Sequence, residues 1–180
     1  MAKALEKAIR DVDPKRFIIA DGLGYGRLPA HGLDGEKGVG VGLRGYDPLS
    51  VTHYKAPWLT MPEETPKWPL EPRGDGPRVY ADDGKEFYYR ESLKVWDETI
   101  AKDIFAYVGE FGVWRATPHE TALAFMEDVL SVWKERNLGW ALWELRGSFG
   151  VMDSERADVD YQDFNGHKLD RRMLELLQRY

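Results

Sequence analysis

Four short apolar runs, Arg16–Ala20, Val39–Leu43, Phe105–Val108 and Gly139–Leu145, constrain this chain more than any other feature. They are apolar at nearly every position instead of at alternate ones, the pattern of strands buried on both faces in a parallel sheet. Parallel neighbours need a crossover, and helical spacing supplies it. Met1–Val12 places Leu5, Ala8, Ile9 and Val12 on one face and stops at Asp13-Pro14. Ser92–Ile104 repeats Leu93, Trp96, Ile100 and Ile104 every three or four residues. A longer helix runs from Thr117 to about Arg136, with Leu123, Phe125, Met126, Val129, Leu130 and Trp133 as a wide apolar stripe. Its start, Thr117-Pro118-His119-Glu120, reads as a capping box with Pro at the first helical position. A final helix, Lys168–Gln178, follows a loop through Asp163-Phe-Asn-Gly166. The expected fold class is therefore α/β, one domain over residues 1–180 with a long proline-rich loop at about 54–91. That loop is expected to carry a small hairpin, Pro77–Ala81 with Lys85–Tyr89, turning at Asp82-Asp83-Gly84.

Composition narrows the function classes. The 25 Lys and Arg against 31 Asp and Glu give a net charge of −6, with the basic residues scattered, so neither nucleic acid nor an anionic membrane is expected as partner. Cysteine is absent, which excludes disulfides and thiolate chemistry. A metal site would have to come from His31, His53, His119 and His167, whose spacing gives no HxxxH or HExxH pair, and neither metal nor organic cofactor is expected. The charges within Met1–Arg10 do not fit a secretory leader, and no 18-residue apolar run is present; no targeting segment or membrane span is expected in these residues, and the compartment stays open.

In a parallel α/β sheet, the residues just past the C-terminal strand ends share one rim, where chemistry concentrates. Here that rim receives Asp21 from the first run, Arg44 and Tyr46 from the second, Glu110 from the third, and Trp143 and Glu144 from the fourth. The segment Tyr107-Val-Gly-Glu110-Phe-Gly112 puts a carboxylate at the end of an apolar strand between two glycines. On spacing alone Glu110 reads equally as a reactive group or as a solvated loop residue.

These motifs resemble the cellulase-like retaining enzymes of glycoside hydrolase family 5. Glu110 in VGEFG and Gly139-Trp-Ala-Leu-Trp143-Glu-Leu-Arg-Gly-Ser-Phe-Gly-Val-Met-Asp153-Ser154 resemble the family's seventh and eighth strands. Arg16-Phe-Ile-Ile-Ala-Asp21-Gly22 resembles the fifth. Arg44-Gly-Tyr46-Asp-Pro48-Leu-Ser-Val-Thr52-His53 resembles the sixth-strand pattern His-x-Tyr-x-Pro-x-x-x-Thr-His. The resemblance implies half of a (β/α)8 TIM barrel, roughly strands five to eight, because 180 residues fall below the roughly 200–400 of a complete one.

It also implies that Glu110 is the nucleophile, that Tyr46 orients it through a hydrogen bond, and that Trp143 lies flat beneath the sugar. Arg44 stands where the family commonly has His. It suits either a pairing with Asp21 or Asp47 or an acidic sugar. His53 is expected to reach a hydroxyl or to hold a turn. Trp58 and Trp114 read as sugar contacts or as loop anchors, whereas Trp96, Trp133 and Trp140 should point inward.

A retaining enzyme needs a second carboxyl group as acid/base, which in this family follows an Asn. No Asn-Glu pair exists here, since Asn137 and Asn165 precede Leu138 and Gly166. Asp21, Glu144 and Asp153 are the available substitutes. Three functions follow from the resemblance: part of a retaining β-glycosidase of glucan- or mannan-like polysaccharide, completed by an N-terminal half-barrel; a non-catalytic oligosaccharide-binding module; or a half-barrel that pairs with a second copy of itself.

Overall fold

The computed structural model describes residues 2–30, 32, 36–60, 62–70, 84–102 and 104–180. Helix α1 (Ala2–Val12) leads to β1 (Ile18–Asp21), the single turn α2 (Leu23–Gly26), β2 (Val39–Arg44) and the short α3 (Leu49–Thr52). Further along the chain, α4 (Gly84–Tyr88) runs through a π turn at Tyr89–Leu93 and a 3-10 turn at Lys94–Trp96 into α5 (Asp97–Ile100). Strand β3 (Ala106–Phe111), helix α6 (His119–Glu135), strand β4 (Gly139–Leu142), the pair β5 (Gln162–Phe164) and β6 (His167–Leu169), and α7 (Arg171–Gln178) complete the order. The first four strands form one parallel sheet, β1-β2-β3-β4. The α/β expectation stands.

One face of this sheet is a packed core. Val41, Leu43, Val108 and Phe111 bury against Phe125, Val129, Leu130 and Trp133 of α6, each such side chain contributing roughly 1.5–3 kcal/mol by leaving water. The Phe111 ring meets Trp133 and Trp140 edge-on, at centroid distances of 4.9 and 5.5 Å. Trp133 satisfies its indole by donating to the Tyr88 hydroxyl at 3.0 Å. Trp96 is likewise buried, donating to the Arg27 carbonyl at 3.2 Å, so these three tryptophans are inward as expected.

The opposite face departs from the expectation of strands buried on both sides. In β2 the valines and leucine face the helices, while Gly40 and Gly42 face the other way and make room for neighbouring side chains. A Cβ on Gly40 would lie 2.8 Å from the Phe105 ring and 3.2 Å from the Phe17 ring. Nothing among the described residues covers this layer: Phe17 is 50% exposed, Ile19 40% and Phe105 53%. Helix α1 has no buried residue either, and Leu5, Ile9 and Val12 are exposed. It is held at its end by Arg10, which donates to the carbonyls of Arg16 and Lys37 at 2.7 and 2.8 Å.

Three local expectations need correction. The capping box does not form: the Thr117 hydroxyl donates to the Val51 carbonyl at 2.6 Å, and Asp158 instead accepts the His119 N–H at 2.7 Å. Lys85–Tyr88 is helical instead of one arm of a hairpin, and the other arm, Pro77–Ala81, lies outside the described residues. The loop before the last helix is itself a hairpin. Asn165 and Gly166, with φ of 54° and 83°, form its two-residue turn, and the helix starts only at Arg171, where Asp170 accepts the Met173 N–H at 2.9 Å.

Candidate active site

The C-terminal strand ends bring Asp21, Arg44, Tyr46 and Glu110 into one cavity of about 420 Å³, with Gly22, Gly26 and Tyr25 completing its wall. A register shift places Glu110 there. Val108 and Phe111 are both fully buried on the helix side, yet residues three apart in a regular strand point to opposite faces. The pairing jumps from Leu43–Val108 to Arg44–Glu110, so one extra residue on β3 makes a bulge and turns Glu110 to the open face. Gly109, at the bulge, leaves space for Arg44: a Cβ there would lie 3.0 Å from Arg44 Nη1.

Both oxygens of Glu110 are held. Tyr46 Oη donates to Oε2 at 3.2 Å, and Arg44 Nε lies 3.0 Å from Oε1. Arg44 also binds Asp21 with two parallel bonds, Nη1 to Oδ1 at 3.0 Å and Nη2 to Oδ2 at 3.1 Å. Burial alone would lower the pKa of Arg44, but the Asp21 hydrogen bond and the charges of Glu110 and Asp21 outweigh it and raise it. Burial, then the charge and hydrogen bond of Glu110, push the Tyr46 phenol well above its ordinary range, so it stays a proton donor.

Of the two partners foreseen for Arg44, the structure selects Asp21; Asp47 pairs with Arg27, at 2.7 and 2.8 Å. With both of its carboxylate partners in place, Arg44 has no surplus charge for an acidic sugar. Trp58 lines an adjoining cavity together with Tyr25, Leu49 and Leu59. Trp143, 49% exposed, follows β4 and lines neither of these cavities. His53 sits behind Tyr46, its ring 5.1 Å from that ring and 5.4 Å from Phe149, and its Nδ1 is 2.9 Å from the Thr52 hydroxyl. Burial lowers its pKa, favouring the neutral imidazole. Trp114 packs edge-on against Trp58 at 4.8 Å, anchoring that ring.

The substitutes for an acid/base carboxyl fare poorly. Asp21 is committed to Arg44. Asp153 accepts the Lys168 N–H at 2.9 Å, binds His167 Nδ1 at 2.8 Å and Arg146 Nε at 2.6 Å, and these donors bring its pKa down to about 2. Glu144 folds over Gly147, where an added Cβ would meet its carboxylate at 2.3 Å. No group of three or more His, Asp and Glu among the described residues is placed to hold a metal ion.

Sequence reading missed Tyr25, Arg27 and Leu59 as wall residues. The signal for Tyr25 in the sequence is Gly24-Tyr25-Gly26, two glycines around a bulky residue. Gly24, Tyr25 and Gly26 adopt positive φ, 57°, 61° and 75°.

No protein-family model matches the chain. Two curated relatives, Endoglucanase C of Acetivibrio thermocellus and Endoglucanase C307 of Clostridium sp. strain F1, are each 25% identical over 179 residues, which is 88% of this chain and 52% of theirs. A solved structure described as a glycoside hydrolase superposes with a TM-score of 0.81 at 35% identity, covering 96% of this chain and 50% of its own. Thermotoga maritima Cel5A, solved in complex with mannotriose, gives 0.71 at 25% identity, covering 98% of this chain and 52% of its own. The chain thus spans about half the length of the relatives it matches, and those relatives support the family-5 resemblance read from the strand-end motifs.

Proposed function

We propose that this chain carries the nucleophile side of a retaining β-glycoside hydrolase acting on a glucan- or mannan-like polysaccharide. Its sheet is one half of a (β/α)8 barrel, and the acid/base carboxyl comes from a complementary half. The observation that carries this reading is Glu110 at the end of a parallel strand, facing an open cavity, with one oxygen on Tyr46 and the other on Arg44. A carboxylate fixed this way keeps lone pairs for attack on an anomeric carbon. As the glycosidic C–O bond breaks and the partner acid protonates the departing oxygen, a Glu110–sugar ester forms; water, deprotonated by the same partner, then releases the sugar and restores the carboxylate. Tyr46 holds the carboxylate through both steps, and Trp143 offers an aromatic face to the ring. The substrate class is supported by Cel5A, solved with mannotriose and with cellobiose.

The test is reconstitution. Co-expression with an N-terminal half-barrel bearing an Asn-Glu pair after an apolar strand should give hydrolysis of carboxymethylcellulose or glucomannan, with the β-anomer released first. Glu110→Gln should abolish it. A folded complex that releases no sugar, or that keeps its activity in Glu110→Gln, would sink the proposal.

The open layer of Phe17, Ile19 and Phe105 favours a second reading, in which two copies close on each other. Such a pair lacks an acid on either copy. It would bind oligosaccharide without turnover and sediment as a dimer; a well-folded monomer in sedimentation rules it out.

A further inference from the structure

We infer that Asp21 is a positioning residue for the nucleophile and acts through Arg44, the two forming a bridge across the ends of β1, β2 and β3 that fixes one oxygen of Glu110. This rests on the proposed function and gives a role to a residue that has none there. Arg44 spends all three nitrogens of its guanidinium on the bridge. Nη1 and Nη2 lie 3.0 and 3.1 Å from Oδ1 and Oδ2 of Asp21, and Nε lies 3.0 Å from Oε1 of Glu110. A two-point fork of this kind fixes the plane of the guanidinium, and the plane fixes where the Nε–H points.

Three glycines from three separate segments make room for the bridge. A Cβ on Gly26, in the turn after β1, would lie 2.5 Å from Arg44 Cγ. One on Gly42 of β2 would lie 2.9 Å from Asp21 Oδ1, and one on Gly109, at the bulge of β3, 3.0 Å from Arg44 Nη1. A side chain at any of these positions would press on the bridge, so the backbone on each side is shaped around it.

Holding the strands together does not require the pair. Asp21 already faces Gly42 in the ladder of β1 and β2, and the next residue, Gly22, donates its N–H to the Gly42 carbonyl at 2.9 Å. Stability does not require it either, because the Asp21 side chain is 61% exposed and ion pairs this open to water contribute little. The pair supplies direction and shared charge instead. One cation faces two carboxylates, so Arg44 orients Glu110 without neutralising it. The family resembled commonly has His at this position, and an imidazole has two ring nitrogens, too few for a two-point grip on Asp21 and a further contact with Glu110.

Dinitrophenyl β-cellobioside tests this on the 180-residue chain, because the dinitrophenolate leaves without needing a proton. Glu110 attacks the anomeric carbon, the bond to the phenolate oxygen breaks with its electron pair, and the sugar ester accumulates where no base activates water; intact-mass spectrometry follows it. Asp21→Asn removes one of the two parallel bonds and should slow the saturated labelling rate about tenfold, with the half-saturating concentration within about twofold of the parent's. The Arg44 Nε–H resonance should shift, while the melting temperature falls by no more than about 4 °C. Arg44→Lys cannot form the fork, so adding Asp21→Asn to it should slow labelling no further. An unmoved Nε–H resonance or an unchanged rate in Asp21→Asn overturns the inference and leaves the nucleophile in place. A change confined to the half-saturating concentration, or a full further loss on top of Arg44→Lys, also overturns it and makes Asp21 a direct sugar contact. If the parent is not labelled on Glu110, the nucleophile reading falls and this inference with it.

Discussion

Gly26→Ala, with Gly24→Ala as its control, tests whether Arg44 is locked in place by the backbone beneath it. Both glycines are left-handed, with φ of 75° and 57°, and alanine pays about 1–2 kcal/mol for that conformation at either position. They differ in surroundings. Nothing lies within 4 Å of a Cβ added at Gly24, whereas one added at Gly26 would sit 2.5 Å from Arg44 Cγ and 3.1 Å from Arg44 N. Arg44 must then leave its rotamer, costing about 0.5–1.5 kcal/mol. It also loses part of its contact with Asp21 and Glu110, worth on the order of 1 kcal/mol for groups this open to solvent. Gly24→Ala should therefore lose about 1–2 kcal/mol and Gly26→Ala about 1–2 kcal/mol more, which for a chain of this size lowers the melting temperature by roughly a further 2–8 °C. Thermal unfolding gives the difference, and the Arg44 Nε–H resonance, shifted only in Gly26→Ala, assigns it. Equal losses in the two variants, with that resonance unmoved, would refute the argument.

Arg156 is 3% exposed and donates to the carbonyls of Thr117, at 2.8 Å, and Val113 in the loop after β3. Burial lowers its pKa, so Arg156→Met both removes two charge-assisted bonds and relieves a buried charge; the net loss should be about 2–4 kcal/mol by urea unfolding, and a loss below about 1 kcal/mol would contradict it. Asp153 has a pKa lowered to about 2, so its stabilising effect is complete above the unfolded value of about 4 and disappears as pH falls through 2. The stability gap between parent and Asp153→Asn should be flat above about pH 5 and close toward pH 2, as followed by denaturation at a series of pH values; a gap independent of pH would mean that the carboxylate charge plays no part. Asp158→Ala removes the acceptor for the first N–H of α6 and should cost about 1 kcal/mol, whereas Thr117→Ser, which keeps its hydroxyl on Val51, should cost less.

The strand-end residues were legible because apolar runs and their terminators are local signals: Asp21, Arg44, Tyr46 and Glu110 converge on one cavity once four short strands pair in parallel. What was not legible depends on contacts distant in sequence. Thr117 looks like a helix cap until the carbonyl of Val51, 66 residues away, takes its hydroxyl. The room that Gly40 leaves has no local signal, because the rings that fill it, Phe105 and Phe17, come from neighbouring segments. The hairpin at Asn165-Gly166 is a different case, since that dipeptide is a strong local turn signal and was present to be read.

The bulge at Gly109 has a consequence for how this sequence tolerates change. Glu110 reaches the cavity, and Phe111 the core, because the bulge absorbs the one residue that β3 holds beyond its neighbours between Val108 and Phe111. Ironing the bulge out at the same chain length would drive a carboxylate toward Trp133 and a phenyl ring into the cleft. Deleting Gly109 instead restores plain alternation, with Glu110 still outward and Phe111 still inward, whereas one further inserted residue turns both to the wrong face. Over evolutionary time the strand can lose its bulge or exchange side chains on either face more readily than it can take an insertion.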